Sequence, residues 1–562
     1  DGTLVLAGDN TYSGGTTISS GTVQVGNGSS SGSLGTGAIE NNATLVFDRT
    51  GTLTIGALIS GTGGLTQAGT GTLTLTGNNT FDGAVALNDG TLVVGHVNAL
   101  GTDTSTLSIT SGATLGLQGD ITLSRDIDLV DGAGVGAIRN ISGNNTLSGT
   151  IALATGDNDI VADTGTLSFT GVIKSSGSFV PDSSLTLSGA GGIAFGQAVG
   201  VKDFSSTVAN LALGGNLTAW GDAGGTNIGV LSIVGDLTTA GDVTIHNKGT
   251  AFFSTSSKLE MSGNVTAGGD LTLWAWQFDV ASNIDASGQL LTVQQINTGS
   301  NSNAITLAGQ IQANELAVVN GQYANIDISN VANNIGTFAV DQAGDLTLSS
   351  ASALTIGSVT IGAVNPSGVT ASGDVLIETL TGDLTVSENI VSTSTSAVSV
   401  ELVAGKNTAA GTSTGGDIKI SNGAAITVAS GSQARLFTGS LSGSSGVAES
   451  GEGADDGLVE FESGRFRYNA DENTDFTDGT WTDLTDSGLY AIYREQPEVT
   501  ATISSAQITY GDITPSFTLI GTGSLAATGL ANGDSADLTV DSPVNSGAGK
   551  LKADTYTVIQ TN

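Results

Sequence analysis

The sequence contains no cysteine, and this absence excludes two sources of stability at once. Without thiols the chain forms neither disulfide bonds nor thiolate metal sites. It also lacks the cross-links that would block passage of an unfolded polypeptide through a secretion pore. We therefore expect packing and hydrogen bonds alone to hold the fold, and the composition permits export.

Positive charge is scarce as well. Only 15 lysines and arginines face 52 aspartates and glutamates, which gives a formal net charge of −37. Proteins bind phosphate backbones through clustered lysine and arginine, yet Arg49, Arg125 and Arg139 are the only arginines between residues 1 and 430. We therefore predict that the chain binds no nucleic acid, and insertion into or adsorption to an anionic membrane is disfavoured for the same reason.

Long hydrophobic runs and prolines are equally rare. No stretch approaches the roughly 18 apolar residues of a membrane span, and no basic-then-apolar leader opens the chain, so we expect neither a transmembrane helix nor a signal peptide. Residue 1 falls inside a repeat, and we expect this sequence to be a segment of a larger protein. Only Pro181 and Pro366 precede residue 496, as expected for stacked strands in which proline would remove a hydrogen-bond donor.

Short alternating strands fill the space between glycine-rich turns. In "GTLVL" the apolar residues Leu4 and Leu6 alternate with Thr3 and Val5, which is the period of a strand with one buried face. Stretches such as "GDNTYSGG" and "SGTGG" supply the positive φ angles of tight turns. The pattern predicts strands of about five residues joined by frequent turns.

A long phrase occurs twice. "GTLVLAGDNTYSGGTTISSGTVQVGN" starts at Gly2 and "GTLTLTGNNTFDGAVALNDGTLVVGH" at Gly71. Short strands are typical of sandwiches, barrels and β-solenoids, and periodicity decides among them. The offset divides into three coils of about 23 residues, which favours the solenoid. A second phrase, G-[DN]-[LIV], recurs later, for example as "AGDLTLS", and we expect asparagines and threonines at equivalent turns to stack as ladders.

The composition of the sequence changes near residue 430. We predict a β-helical shaft over residues 1–430, and C-terminal coils with a cap and connector over residues 431–496, where four of the seven arginines fall. Alternating segments such as "TATIS" and "SFTLI" then predict a small all-β module over residues 497–562, truncated at its end.

Two kinds of phrase carry a family resemblance. The long phrases resemble the autotransporter-associated β-strand repeat, Gly-Thr-Leu-x-Leu-x-Gly-x-Asn-x-[Tyr/Phe]-x-Gly, here at residues 2–14 and 71–83. The "AGDLTLS" phrases resemble the shaft of filamentous-haemagglutinin-type exoproteins of two-partner secretion. The end of the chain resembles the junction of such adhesins with YG-type, MBG-like modules, and its anchors are Tyr510, Gly511, Pro515, Phe517 and residues 530–535.

The resemblance implies a right-handed parallel β-helix, secretion across the outer membrane of a Gram-negative bacterium through an outer-membrane secretion partner, and adhesion to cells or matrix polysaccharide. It supplies no catalytic residue. We therefore predict a secreted, cell-surface or biofilm-matrix adhesin with an extracellular polysaccharide or cell-surface glycan as ligand, and no enzymatic activity. The alternatives are a β-helical polysaccharide-degrading enzyme and a passive spacer whose binding lies elsewhere.

The stretch "DLTLWAWQFDV" is the candidate ligand site. Leu271 and Leu273 are expected to face inward, and alternation then places the next aromatics outward. Aromatic rings on an outer face stack on sugar rings while polar neighbours bond hydroxyls. The alternative is a register flip at a bulge that turns the aromatics inward. The candidate carbohydrate-binding residues are Trp220, Trp274, Trp276, Gln277, Phe278 and Asp279.

The stretch "NADENTD" is the candidate metal site. Its side-chain oxygens occur at every second position, a spacing that lets a loop wrap calcium. The turn glycine and the bidentate glutamate of a typical calcium loop are missing, and a solvated acidic loop is the alternative. The sequence predicts no cofactor apart from this candidate calcium ion. The candidate ligands are Asn469, Asp471, Asn473 and Asp475.

No set of residues predicts catalysis. The G-x-S-x-G pattern occurs at residues 28–32 and 411–415, but the two histidines, His96 and His246, are expected to be solvated edge residues rather than catalytic bases. A glycosidase needs two carboxylates within reach of one bond. The densest charged stretch is better explained as an exposed charged face, and it comprises Arg125, Asp126, Asp128 and Asp131.

Overall fold

A computed structural model describes residues 2–561 of the chain, with several gaps. For residues 246, 247 and 258 and for the strands after residue 536 it gives the backbone only. The residues outside the description are 131–136, 176–181, 220–230, 234, 240, 242, 248–257, 296–303, 321–322, 363–364, 450–455, 461–462, 477–483, 485, 497–536 and 541–557.

The described residues form β-strands and contain no helix, and they fall into two compact units, Asp1–Gln322 and Tyr323–Asn562. The strands of the first unit are β1 (Thr3–Leu6), β2 (Thr16–Ile18), β3 (Thr22–Ser29), β4 (Ile39–Asn41), β5 (Thr44–Arg49), β6 (Thr52–Ile55), β7 (Ile59–Ser60), β8 (Gly64–Gln67), β9 (Thr72–Leu75), β10 (Val85–Leu87), β11 (Thr91–Val94), β12 (Leu107–Ile109), β13 (Thr114–Gln118), β14 (Thr122–Leu123), β15 (Ile127–Leu129), β16 (Ile138–Ser142), β17 (Asn145–Leu147), β18 (Ile151–Ala152), β19 (Gly156–Ala162), β20 (Thr166–Phe169), β21 (Ile173–Lys174), β22 (Ser183–Ser188), β23 (Gly192–Phe195), β24 (Val199–Val201), β25 (Phe204–Ser206), β26 (Asn210–Leu213), β27 (Leu217–Ala219), β28 (Leu231–Ile233), β29 (Asp236–Thr239), β30 (Val243–Asn247), β31 (Lys258–Met261), β32 (Val265–Ala267), β33 (Leu271–Ala275), β34 (Gln277–Val280), β35 (Ile284–Gln295), β36 (Ile305–Leu307) and β37 (Ile311–Asn320).

The strands of the second unit are β38 (Ile326–Ile328), β39 (Asn334–Ala343), β40 (Leu346–Ser350), β41 (Leu354–Ile356), β42 (Val369–Ala371), β43 (Val375–Thr379), β44 (Leu384–Val386), β45 (Ile390–Ser392), β46 (Val398–Ala404), β47 (Ile418–Ile420), β48 (Ile426–Thr427), β49 (Gln433–Thr438), β50 (Phe466–Tyr468), β51 (Gly488–Tyr493), β52 (Asp537–Val540) and β53 (Val558–Thr561).

Within each unit the strands before residue 496 pair in parallel with strands one coil away. One sheet of the first unit runs β1, β3, β5, β8, β10, and a second runs β6, β9, β11, β13, β16, β19. In the second unit β40, β43, β46, β49 and β51 form one such sheet. Together the two units hold about 18 turns of solenoid. The predicted all-β, parallel β-helical fold is thereby confirmed.

Coil length differs from the prediction. Thr3 pairs with Thr22, Thr22 with Thr44, and Thr44 with Gly64, so successive coils span 19, 22 and 20 residues rather than 23. Thr72, the counterpart of Thr3 in the second long phrase, lies in the other sheet. The phrase specifies only strand, turn and alternation, and any flat face of the solenoid accepts it. The two phrases are therefore similar in sequence without occupying equivalent positions.

The core is a narrow column of inward aliphatic side chains. Leu45, Leu65 and Leu73 are at most 1% exposed. Aromatic rings stack where coils meet, and the Phe169 and Phe195 ring centroids are 5.3 Å apart. Burial of this apolar surface is the main favourable contribution to the free energy of folding.

The G-[DN]-[LIV] phrase has a structural cause. In the first unit Asp236 Oδ1 accepts the backbone N–H of Asn264 at 2.9 Å, one coil further along the chain. In the second unit Asp345 Oδ1 accepts the N–H of Asp374 at 2.9 Å. A Cβ on Gly373 would lie 2.1 Å from Asp345 Oδ1, so glycine is needed before the acidic residue. We call these rows of coil-to-coil acceptors the side-chain oxygen columns, because either Asp or Asn supplies the oxygen.

Amide ladders accompany the columns, as expected from the sequence. Asn98 Nδ2 donates to Asn78 Oδ1 at 2.8 Å, and Asn283 Nδ2 donates to Asn264 Oδ1 at 3.3 Å. These asparagines are at turns and point to solvent.

The predicted domain boundaries at residues 430 and 496 lie inside the second compact unit and stay predictions. Parallel pairing continues past residue 430, because β49 pairs with β51 up to Tyr493. Beyond residue 496 the structure describes only β52 and β53, which pair antiparallel. The anchors of the predicted YG-type module lie outside the described residues. Among the described residues no helix has the length and apolar character needed to cross a membrane.

Candidate functional site

The aromatic stretch does not form an outward row. Trp276 is 6% exposed and Phe278 is 5% exposed, so the outward placement predicted for them is wrong. The chain turns a corner between β33 and β34, and Ala275 and Trp276 are both buried there. Strict alternation therefore changes phase at the corner, which is the inward flip that the sequence left open. The indole Nε1 of Trp276 has no hydrogen-bond partner among the described residues.

The other members of the set lie on two different sheets. Trp274 is half-buried on the outer face of β33, in register with Gln294 of β35. Gln277 is half-buried and Asp279 exposed on β34, and Asp279 is in register with Thr306. Trp220 lies outside the described residues. Carbohydrate binding by this set stays a prediction, and Trp274 is its one described aromatic on an outer face.

The predicted calcium loop contacts another loop of the same unit. Asp471 Oδ1 accepts the N–H of Asn473 at 3.0 Å, and its Oδ2 accepts the N–H of Ala410 at 3.0 Å. Asn469 has a φ of 55°, while Asn473 and Asp475 are exposed. Among the described residues no group of three or more His, Cys, Asp or Glu side chains is arranged to hold a metal ion. Calcium binding stays a prediction that this geometry does not support.

Phe476, the residue after this loop, covers part of a sheet face. It packs against the outward side chains of Val403, Phe437 and Tyr490, which are at most 3% exposed. Gln433 Nε2 also donates to the backbone oxygen of Leu484 at 2.7 Å. We call this outer surface of β46, β49 and β51 the covered face. Its aromatic and aliphatic side chains are packed against one another.

A carboxylate and a guanidinium lie within the covered face. Glu401 is in register with Arg435, which is in register with Tyr490. The Arg435 guanidinium carbon lies 6.0 Å from the Phe476 ring centroid. Burial raises the pKa of Glu401 above its usual value, and Arg435 offsets only part of this effect.

Replacing Glu401 with Gln is expected to stabilise the covered face at neutral pH. A raised pKa in the folded state means that stability is highest with the carboxyl protonated and falls as the pH rises through the raised pKa. The substitution removes this loss, so the gain should be present at pH 7 and absent at pH 4. Hydrogen exchange of β46 and β49 measures it. Glu388→Gln is the control, because Glu388 lies at the surface and bonds Ser358 Oγ through an oxygen that Gln retains.

The charged stretch predicted to be an exposed face is only partly so. Arg125 is 6% exposed and its guanidinium pairs with Asp103 at 3.3 Å, which corrects the prediction for this residue. Asp126 Oδ1 instead accepts the N–H of Thr150 at 2.7 Å, and Asp128 is half-buried on β15. Asp131 lies outside the described residues. Arg125 and Asp126 thus make separate contacts with different neighbouring residues.

The two histidines lie in different coils of the first unit. His96 is half-buried in a turn, and its Nδ1 accepts the N–H of Asn98 at 3.1 Å. His246 lies on β30, where only the backbone is described.

A groove on the outer face of the second sheet escaped the sequence interpretation. It crosses β9, β11, β13 and β16 and has a volume of about 260 Å³. We call it the threonine groove. Its lining residues are Thr72, Thr91, Val93, Thr114, Arg139, Ile141 and Asp163.

Strand register explains the groove. Thr72, Thr91 and Thr114 occupy the same position on three stacked strands, so their side chains form one column. In the neighbouring column Val93 is followed by Gly116 and then by Arg139. Gly116 has no side chain, and Ile141 Cδ1 and Val93 Cγ2 occupy the space beside it, 2.8 and 3.1 Å from where its Cβ would be. The repeated Gly-Thr-Leu phrase was the sequence signal for the threonines, but nothing in the sequence marked Gly116 or the partner of Arg139.

An ion pair borders the groove. Arg139 Nε and Nη2 donate to the two Asp163 carboxylate oxygens at 2.7 and 3.1 Å. The carboxylate raises the pKa of Arg139. About half of the Arg139 side chain is exposed, so the pair contributes little to stability and keeps free surface toward the groove.

Comparison with known proteins gives two local similarities. The passenger-associated transport repeat family matches residues 1–25 and 65–94. Over 56 residues the chain is 57% identical to "Adhesin BmaC autotransporter" of Brucella suis biovar 1 (strain 1330), which is 10% of this chain and 2% of that protein. The chain therefore spans a small fraction of that relative's length. No solved structure matches. The chain is thus similar, over short segments, to a transport-repeat family and to an autotransporter adhesin.

Proposed function

We propose that this chain is a passenger segment of a secreted, cell-surface adhesin of the autotransporter type, whose β-solenoid presents binding surfaces to a matrix or cell-surface ligand. The observation that carries the proposal is that both transport-repeat matches fall on stacked parallel strands, β1 to β3 and β8 to β11. The similarity to an adhesin supports the same role.

The fold suits this role physically. Each coil offers the same outer positions as the coil before it, so one surface motif recurs at the strand spacing of about 4.8 Å. Repeated weak contacts combine into strong attachment when they act simultaneously. The ligand that we propose is an extracellular polysaccharide or surface glycan, and the location is the outer surface of a Gram-negative bacterium. Two-partner secretion and a biofilm role remain finer predictions from the sequence.

Adhesion by the purified chain tests the proposal. Beads coated with residues 1–562 are expected to bind bacterial cells or their extracellular matrix at least tenfold more than beads coated with heat-unfolded chain. Soluble chain should compete, because it occupies the same ligands. Equal retention on both kinds of bead would contradict an adhesive role, and release of reducing sugar ends from the matrix would favour a polysaccharide-degrading enzyme instead.

A further inference from the structure

We propose that the threonine groove is a binding site for a neutral polysaccharide. The inference rests on the proposed adhesive function and adds to it a location and a ligand class. It follows from three features of the groove: a column of hydroxyls, an apolar floor and an internally neutralised ion pair.

The hydroxyl column is the first feature. Thr72, Thr91 and Thr114 stand in register on adjacent strands, about 4.8 Å apart, and all three are half-buried. Each threonine hydroxyl both donates and accepts hydrogen bonds. A ligand that presents hydroxyls at regular intervals, each also donor and acceptor, matches this column without burying an unpaired charge.

The apolar floor that Ile141 and Val93 form over Gly116 is the second feature. A Cβ at this position would lie 2.8 Å from Ile141 Cδ1 and 3.1 Å from Val93 Cγ2. Val93 is 4% exposed although it is on the outer face. The groove therefore has an apolar floor beside its hydroxyl wall, and the C–H faces of a sugar ring would bury against that floor.

The ion pair is the third feature, and it decides the charge of the ligand. Arg139 already bonds Asp163 through two of its five N–H groups, so its charge is compensated. The remaining N–H groups and the carboxylate lone pairs lie side by side, as the vicinal hydroxyls of a sugar require. An anionic polymer gains no unpaired cation here and is repelled by a chain of net charge −37.

Isosteric removal of the hydroxyls tests the site. In the full chain the triple variant Thr72→Val, Thr91→Val and Thr114→Val keeps β-branched side chains of similar size but removes three hydroxyls. We expect its Kd for neutral polysaccharides to rise at least tenfold. The probes are dextran, yeast mannan and xylan as neutral polymers, and alginate and polygalacturonate as anionic ones, compared by affinity electrophoresis.

The chain offers a matched control. Thr3, Thr22 and Thr44 form an equivalent column on the neighbouring sheet. Their replacement by valine should leave affinity unchanged if the groove is the site. Gly116→Val, whose side chain would displace Ile141 and Val93 from the floor, should weaken binding independently, and circular dichroism checks that each variant remains folded.

The possible outcomes separate this inference from the proposed function. Weaker neutral binding in both groove variants, with the control column unaffected, supports the site. Unchanged binding in both groove variants overturns it, as does a preference for alginate or polygalacturonate. If none of the five polymers binds while coated beads still adhere to cells, the groove assignment is wrong and the adhesive function stands.

Discussion

Replacing Arg494 by methionine is expected to lower the local stability of the C-terminal coils by about 3 kcal/mol. Arg494 is 0% exposed and follows β51. Its Nη2 donates to the backbone oxygens of Gly416 at 2.8 Å and Thr414 at 3.3 Å. Methionine would remove this charged donor from both carbonyls, and the Gly416 oxygen would keep only the N–H of Gly439 at 3.0 Å. A hydrogen bond to a charged group contributes about 1.5–3 kcal/mol.

Charge adds to the effect. Burial lowers the pKa of Arg494, while the carboxylates of Glu472, Asp417 and Asp471 favour its charged form. Removing the guanidinium takes away the positive charge that compensates these three carboxylates. The expected result is faster hydrogen exchange in β49, β51 and the loop at residues 405–416, because stability in a repeat protein is measured locally.

Lys419→Met is the matched control for Arg494. This variant also removes a cation and its ion pair with Asp383, but the Lys419 side chain is 44% exposed. Exposed ion pairs contribute roughly 0–1 kcal/mol, so exchange should change little. Similar exchange in the two variants would show that Arg494 does not hold the loops together.

Replacing Asn158 by leucine is expected to destabilise the coils around β19 by about 2–4 kcal/mol. Asn158 is 0% exposed, and its side chain makes four hydrogen bonds to the backbone. Its Oδ1 accepts from Ala154 N at 2.9 Å, and its Nδ2 donates to the oxygens of Ala154, Gly156 and Ser184 at 3.0 to 3.1 Å. Ser184 belongs to the next coil, so the amide joins two coils.

Two further variants separate hydrogen bonding from volume. Asn158→Asp keeps the shape and the acceptor but loses the donated bonds, and it should be destabilised as well. Asn98→Leu removes an exposed amide whose single bond reaches Asn78, and it should cost well under 1 kcal/mol. Hydrogen exchange of β19 and β22 measures both Asn158 variants, and exchange of β9 and β11 measures Asn98→Leu. Full protection in Asn158→Leu would mean that water or backbone movement replaces the amide.

The sequence predicts the strands of this fold well, because alternation along a strand is a local property. It fails where the chain turns between sheets. At Ala275 and Trp276 two consecutive side chains face inward, so a pattern extended across the corner places Trp276 and Phe278 on the wrong side. It also misses the coil phase, since the same Gly-Thr-Leu strand fits more than one face.

Contacts between distant segments were beyond sequence reasoning. Arg494 bonds a carbonyl 80 residues earlier, and Arg139 pairs with Asp163 one coil away. Neither distance follows from a regular period, because turns differ in length from coil to coil. The threonine groove also depends on Gly116, one of 84 glycines. Its importance comes from the side chains of Val93 and Ile141 on neighbouring strands.

The acidic composition can now be related to the fold. From the sequence alone, the 52 acidic residues are expected to lie in solvent and to repel anionic partners. In the structure several of them, such as Asp236, Asp345 and Asp383, accept backbone N–H groups from the next coil. A share of the negative charge is therefore part of the hydrogen-bond framework.

The side-chain oxygen columns have an evolutionary consequence. Each bond joins a side-chain oxygen to a main-chain N–H, and every residue except proline supplies that N–H whatever its identity. A coil beginning with Gly-Asp or Gly-Asn is thus compatible with any successor that begins with the same glycine, which keeps the acceptor oxygen clear. In-frame tandem duplication or deletion of the codons of one such coil would preserve the junction, so recombination can alter the number of coils in whole steps while point mutation refines the exposed faces.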